Sequence, residues 1–237
     1  MPEWSIGTVS KTVVPLRVPR VRIPAFPLID ENRFTLETPG KSVLLQYIWN
    51  MEEKSEIWEK MISGEIYDAS HPQLIGELEK TRELIWEFNN LRPSQKKEMR
   101  AIIDKLLGSH TENFQINQPF RCDYGSNIHF GDNFFANFNL TILDEAEVRI
   151  GDNCFIGPNV SIYTACHPLD AENRNRALEW AEPVTIGNNV WIGGSATLLP
   201  GVKVGDNVVI GGGAVVCKDV PDNVVIGGNP AKIIKKL

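Results

Sequence analysis

One histidine in this chain stands where it could move a proton. In Tyr163-Thr-Ala-Cys-His-Pro-Leu-Asp170, His167 sits where a regular stretch gives way to an irregular one, and Pro168 stiffens the exit. An imidazole titrates near neutrality, so His167 can act as a general base. A purely structural histidine would fit the same position. Cys166, its neighbour, raises a covalent thiol mechanism as an alternative. Adjacent side chains on extended backbone point to opposite sides, and a Cys–His couple needs closeness in space. Cys166 is therefore expected to be structural. A second group with chemical content is basic: Lys232, Lys235 and Lys236 lie near the end of a chain whose net charge is −6. Lysine suits phosphate as a point charge.

The elements that must position these residues follow a period of six. Ile186, Ile192, Leu198, Val204, Ile210 and Val216 recur without a break, and four residues after each comes Val190, Ala196, Val202, Val208, Ala214 or Val220. A helix repeats at 3.6 and a half-buried strand at 2, so a strict six indicates a hexapeptide β-helix. Three hexapeptides make one triangular coil, and residues eighteen apart stack. Gly187, Gly193, Gly205 and Gly211 follow four of the leaders and are expected at corners, where unusual backbone angles suit glycine. Upstream, Phe130, Ala136 and Ile142 form one triplet, two extra residues intervene, and Ile150, Ile156 and Ile162 form another. Twelve hexapeptides make about four coils, interrupted by a loop over 163–183. Loops on a rigid scaffold are where function concentrates.

Before the repeats the chain changes character twice. Residues 1–40 hold six of the 15 prolines, and an extended arm is expected over 1–50, since proline removes donors and blocks helix. Residues 51–112 read as a small α-helical unit. A helix over Ser55–Met61 ends at Ser63-Gly64. Ser70 caps a second with Pro72 in its first turn. Met99, Ile102, Ile103, Leu106 and Leu107 mark a third, closed by Gly108. Its apolar stripe must be buried, and the prism of 113–237 is the expected partner.

Composition excludes several classes. The negative charge argues against non-specific nucleic-acid binding. No run of eighteen apolar residues marks a membrane span, and no signal-peptide pattern opens the chain. Cys122, Cys154, Cys166 and Cys217 lack CxxC spacing and suit a reduced, cytoplasmic compartment. The sequons at Asn139 and Asn159 are treated as chance.

Cys122-Asp-Tyr-Gly-Ser-Asn-Ile, Asn133-Phe-Phe-Ala-Asn-Phe-Asn-Leu, Tyr163-Thr-Ala-Cys-His-Pro-Leu-Asp, Val184-Thr-Ile-Gly-Asn-Asn-Val-Trp-Ile-Gly-Gly and Gly227-Gly-Asn-Pro-Ala-Lys-Ile-Ile together resemble the maltose and galactoside O-acetyltransferases. The resemblance spans roughly residues 54–237. It implies a mainly β fold, a left-handed parallel β-helix with a small N-terminal helical unit, although parallel crossovers are usually right-handed. It also implies a homotrimer and direct acetyl transfer from acetyl-CoA, with no metal, to a hydroxyl of a maltose-, glucose- or galactoside-like sugar. His167 matches the family's catalytic base. Asn137 matches a residue that contacts the acceptor and stabilises the tetrahedral species, while corner packing is its structural alternative. Trp191, Gly194, Gly212, Cys217, Lys218, Lys232 and Lys235 match the acetyl-CoA groove. Cys217 stands where threonine is common, and Lys232 and Lys235 where arginine is usual. On the acceptor side Asp68 corresponds with a displacement of one position, Phe135 stands where some relatives have tyrosine, and Glu145 and Glu179 are candidate polar contacts. Ala69 and Leu78 replace polar residues of relatives.

Three other readings compete. A zinc enzyme on the same prism needs three converging histidines, and the coils offer His129 and His167. A non-catalytic scaffold need keep neither the His-Pro loop nor the basic end. A third is an acetyltransferase acting on an amino acid, a nucleotide sugar or an antibiotic, against which the helical unit argues.

Overall fold

The structure, a computed structural model, describes residues 56–237. The expected arm over 1–50 and the first residues of the helical unit lie outside that span. Helix α1 occupies 56–63 and stops at Gly64, whose φ of 81° is left-handed and suits glycine. The short strand β1 (Tyr67–Asp68), helix α2 (Pro72–Asn90) and helix α3 (Lys96–Leu106) follow. The cap of α2 differs from expectation. His71 caps it, its ring nitrogen accepting from Gln73 N at 3.3 Å. Ser70 is instead drawn back to Asp68, donating from N and Oγ to Oδ1 at 2.8 and 2.6 Å. The helical stripe is buried as expected. Ile85, Phe88, Met99, Ile102, Ile103 and Leu106 share one core with Ile116, Phe120 and Phe130 of the prism. A smaller cluster joins Met61, Tyr67, Leu74 and Tyr124. No helix among the described residues is long and apolar enough to cross a membrane.

The prism has three parallel faces. One stacks β2 (Phe114–Ile116), β5 (Phe134–Ala136), β8 (Phe155–Ile156), β13 (Trp191–Ile192), β16 (Val209–Ile210) and β18 (Val224–Gly227). The second stacks β3 (Phe120–Cys122), β6 (Leu140–Leu143), β9 (Ser161–Tyr163), β14 (Thr197–Leu198) and β17 (Val215–Val216). The third stacks β4 (Ile128–Phe130), β7 (Val148–Ile150), β12 (Val184–Ile186) and β15 (Lys203–Val204). The first face has six rungs, more than the four coils expected. Ile116 and Cys122 below the first triplet, and Ile226 above the last, complete coils that the six-residue count left out. Inward residues align rung on rung, as in Ala136, Ile156, Ile192, Ile210 and Ile226. Burying each isoleucine contributes about 1.5–3 kcal/mol. The coil length varies. Phe130 pairs with Ile150, twenty residues on; Ile186 with Val204, eighteen on; Val209 with Val225, sixteen on.

The corners correct the expected role of glycine. Joined by Ser195 and Gly213, the left-handed residues there are mostly asparagines: Asn133, Asn139, Asn153, Asn159, Asn189, Asn207 and Asn223, with φ of 53–62°. Their amides form ladders, Asn139 to Asn159 at 2.9 Å and Asn207 to Asn223 at 2.8 Å. Asparagine tolerates this region because its short polar side chain bonds locally. The glycines serve proximity instead. A Cβ on Gly193 would lie 2.5 Å from Gly212 N, and one on Gly187 2.8 Å from the Gly205 carbonyl carbon. Rungs at this spacing leave no room for an alanine.

The excursion is ordered. Strand β10 (Ala165–Cys166), helix α4 (Ala171–Asn175) and strand β11 (Leu178–Ala181) make an antiparallel pair around a short helix. Strand β1 pairs with β11 on its other edge. At the far end, β19 (Lys232–Lys236) folds back antiparallel on β18.

Candidate functional site

Strand register explains how His167 is held. Cys166 pairs with Trp180 across the antiparallel β10–β11 ladder. The next position in that register sets His167 opposite Glu179, and Glu179 faces Tyr67 across β11–β1. Residues directly opposite on an antiparallel sheet project to the same side. His167 Nδ1 accordingly lies 3.5 Å from Glu179 Oε1, and the Tyr67 hydroxyl donates to Glu179 Oε2 at 2.9 Å. The imidazole is half-exposed, whereas Glu179 is 17% exposed. With Nδ1 turned to the carboxylate, Nε2 is the nitrogen left to face a substrate. Burial and then the Glu179 charge push the Tyr67 phenol far above its usual range, so it stays a donor.

Alternation sends Cys166 to the opposite side. Its Sγ faces Thr164 O at 3.9 Å, and burial pushes the thiol up to about 11. A thiol that protonated is a poor nucleophile. The expectation that Cys166 is no partner for His167 agrees with this geometry.

Asn137 directly follows β5 on the first face. Its backbone is not left-handed; the corner residue is Asn139. Asn137 Oδ1 accepts from Phe138 N at 2.8 Å. Among the described residues its Nδ2 has no hydrogen-bond partner and remains available to donate. Asn137 lines a groove of about 550 Å³ with Phe135, Phe155, Trp191 and Gly194. The three aromatics stack in register, Phe135 on Phe155 on Trp191. Trp191 is 58% exposed and Phe155 45%. Sequence reasoning missed Phe155. Its signal was present, since the residue before each leader points outward, and Phe135, Phe155 and Trp191 precede Ala136, Ile156 and Ile192.

The groove floor is bare backbone. A Cβ on Gly157 would lie 2.5 Å from Gly194 N, and Gly213 N donates to Gly194 O at 2.9 Å. Gly194 and Gly212 thus lie on successive rungs, and Gly157, Gly193 and Gly194 line the groove while Gly212 does not. Cys217, Lys218 and Lys232 line a separate depression of about 70 Å³ with Pro221 and Ala231. Lys235 stands on β19 opposite Val225.

The acceptor-side residues divide. Phe135 lies in the groove and Glu179 on the histidine. Asp68 is tied to Ser70 in the turn before α2. Glu145 is 8% exposed and accepts from Thr164 Oγ1 at 3.3 Å. Burial first, and then a shared hydrogen bond and charge from Asp123, push its carboxyl well above the usual carboxylate range. His129, the other coil histidine, faces Ser109 Oγ at 2.8 Å on the third face. The structure does not bring everything together within one chain: His167 and Glu179 are not among the groove-lining residues.

A parallel prism of hexapeptides capped by a helical hairpin defines the class of hexapeptide-repeat transferases. The sequence matches the maltose acetyltransferase hexapeptide capping motif over residues 60–111, the bacterial transferase hexapeptide over 183–218, and the hexapeptide repeat of succinyl-transferase over 147–164. A putative acetyltransferase of Saccharomyces cerevisiae is 53% identical over 182 residues, 76% of this chain and 93% of the relative. A crystal structure of a maltose O-acetyltransferase from Clostridium difficile is 48% identical, with a TM-score of 0.75 over 76% of this chain and 97% of that one. A galactoside acetyltransferase in complex with coenzyme A is 40% identical, with a TM-score of 0.73 over 76% and 90%. The chain belongs to the maltose and galactoside O-acetyltransferase family of hexapeptide-repeat acetyltransferases, and its prism is the left-handed parallel β-helix of that family.

Proposed function

We propose that this protein transfers acetyl from acetyl-CoA to a hydroxyl of a maltose-, glucose- or galactoside-like sugar, with His167 as general base. The observation that carries this reading is the His167–Glu179 pair, anchored by register in an otherwise polar excursion. Glu179 accepts from Nδ1–H and presents the Nε2 lone pair. His167 Nε2 takes the hydroxyl proton as the oxygen attacks the thioester carbonyl. The C–O bond forms, the C–S bond breaks, and the proton passes to the departing CoA sulfur. The 3.5 Å separation is longer than a formed hydrogen bond, as is common before substrate tightens a site. Asn137 Nδ2 donates to the developing oxyanion. The glycine-lined groove takes the thin pantetheine arm beside Trp191, and the lysines near Cys217 take the phosphates. The reading includes a homotrimer, in which a neighbour's groove would meet the base that the single chain leaves apart from its own. The test is thiol release from acetyl-CoA with glucose, maltose, a galactoside and a glucosamine derivative. Release that no sugar stimulates would reject the acceptor class.

The basic end makes a separate expectation. Lys232→Ala with Lys235→Ala should raise the KM for acetyl-CoA several-fold and leave kcat near the parent, the pattern of lost uniform binding. The difference should shrink as salt rises, because these contacts are screened. An unchanged KM at low ionic strength would make the strand a solvated end.

A further inference from the structure

We propose that Tyr67 is a positioning residue for the base: its hydroxyl fixes the Glu179 carboxylate that orients His167, which makes the helical unit a working part of the catalytic site. The inference rests on His167 being the base and adds a residue from a segment whose evident task is to cover the end of the prism.

Three observations carry it. First, Tyr67, Glu179 and His167 occupy one row across three strands, β1, β11 and the register of β10. The row spans two parts of the chain that are 112 residues apart at Tyr67 and Glu179. Second, the two carboxylate oxygens are divided, one toward the phenol at 2.9 Å and the other toward the imidazole at 3.5 Å. A carboxylate held at one oxygen cannot swing, so its second oxygen is aimed. Third, Tyr67 cannot itself move. It is 3% exposed, in the cluster with Met61, Leu74 and Tyr124. Its strand is tied to the excursion a second time by Ala69 N donating to Ala177 O at 2.9 Å. Glu145 and Tyr124 also face Tyr67. The hydroxyl's hydrogen bond goes to Glu179 Oε2 at 2.9 Å, which makes Glu179 the group that the Tyr67 hydroxyl serves.

The physical effect is on the imidazole tautomer. A neutral imidazole holds its single proton on either nitrogen, and the partner of one nitrogen decides which. Glu179 in place favours Nδ1–H and frees Nε2 for the acceptor. Without the Tyr67 hydroxyl, Glu179 loses its anchor, and neutral His167 drifts toward the tautomer that cannot accept a proton at Nε2.

The experiment uses the full chain and two readouts. Tyr67→Phe keeps the buried ring, and its melting temperature is measured beside the parent. Imidazole ¹⁵N shifts report the His167 tautomer without any acceptor, and the chain's 4 histidines make the assignment tractable with His167→Asn as reference. Tyr67→Phe should reduce the Nδ1–H share and lower kcat about tenfold, with the KM for acetyl-CoA unchanged. Glu179→Leu should do more, and adding Tyr67→Phe to it should change nothing further, because groups acting as a unit are not additive. A parental tautomer in Tyr67→Phe would overturn the proposal. So would an undiminished effect of Tyr67→Phe in the Glu179→Leu background, which would make the phenol a packing group. Failure of the base assignment looks different: His167→Ala would then keep its turnover whatever Tyr67 does.

Discussion

Replacing His167 by alanine should lower kcat by at least a hundredfold while the protein keeps its fold. A positioned general base contributes roughly 10²–10⁴-fold, and a sugar hydroxyl is a weak nucleophile until its proton leaves. The side chain is 54% exposed and lies outside the apolar clusters, so its removal opens no core cavity. The melting temperature should stay within a few degrees. The measurement is steady-state thiol release at saturating acetyl-CoA with the purified variant. Turnover near that of the parent would remove His167 from the mechanism. The high thiol pKa of Cys166 closes the obvious escape route, since a protonated sulfur turned away from His167 does not substitute for it.

The second large effect belongs to Asn137. Its two amide ends are placed differently: Oδ1 holds the Phe138 N–H at 2.8 Å, and Nδ2 is left without a partner among the described residues on a side chain that lines the groove. Aspartate keeps the first contact and abolishes the donor. Asn137→Asp should therefore fold normally and lose roughly 10²–10³-fold in kcat, the usual cost of one oxyanion donor. The KM for acetyl-CoA should change little, because the donor acts on charge that develops only in the transition state. A variant with normal kcat and a raised sugar KM would show that the amide only binds acceptor.

Much of this was legible in the primary structure, for a physical reason. A prism wall demands an inward apolar residue at each rung, so Ile186, Ile192, Leu198 and their successors write the fold out at a fixed period. The helical stripe from Met99 to Leu106 was legible for the same reason. What escaped depends on local competition or distant pairing. Ser70 looked like the cap of α2, but Asp68 captured it and left the task to His71. The glycines after the leaders looked like corner residues, yet the close approach of rungs selects them, and asparagines turn the corners. The pairing of Glu179 with His167 was hidden because nothing near Glu179 in sequence reveals the strand that places it opposite the histidine. Tyr67 gave no signal, since its partner lies 112 residues away.

The excursion returns to the ladder with its register intact. Ile162 pairs with Leu198, thirty-six residues on, and Leu198 with Val216, eighteen on. One full coil's worth of chain is spliced out of the wall, and the rungs above and below meet as if it were absent. Lengthening such a segment is cheap, since each doubling of a loop costs only about 0.6 kcal/mol in closure entropy. The architecture thereby separates two evolutionary clocks. The wall is constrained residue by residue through its stacking. The spliced hairpin can gain, lose or exchange residues while drawing little on that stability. Changes of length should accordingly fall away from the row of Tyr67, Glu179 and His167, whose register the pairing of β1, β11 and β10 fixes, with the scaffold acting as an unvarying chassis.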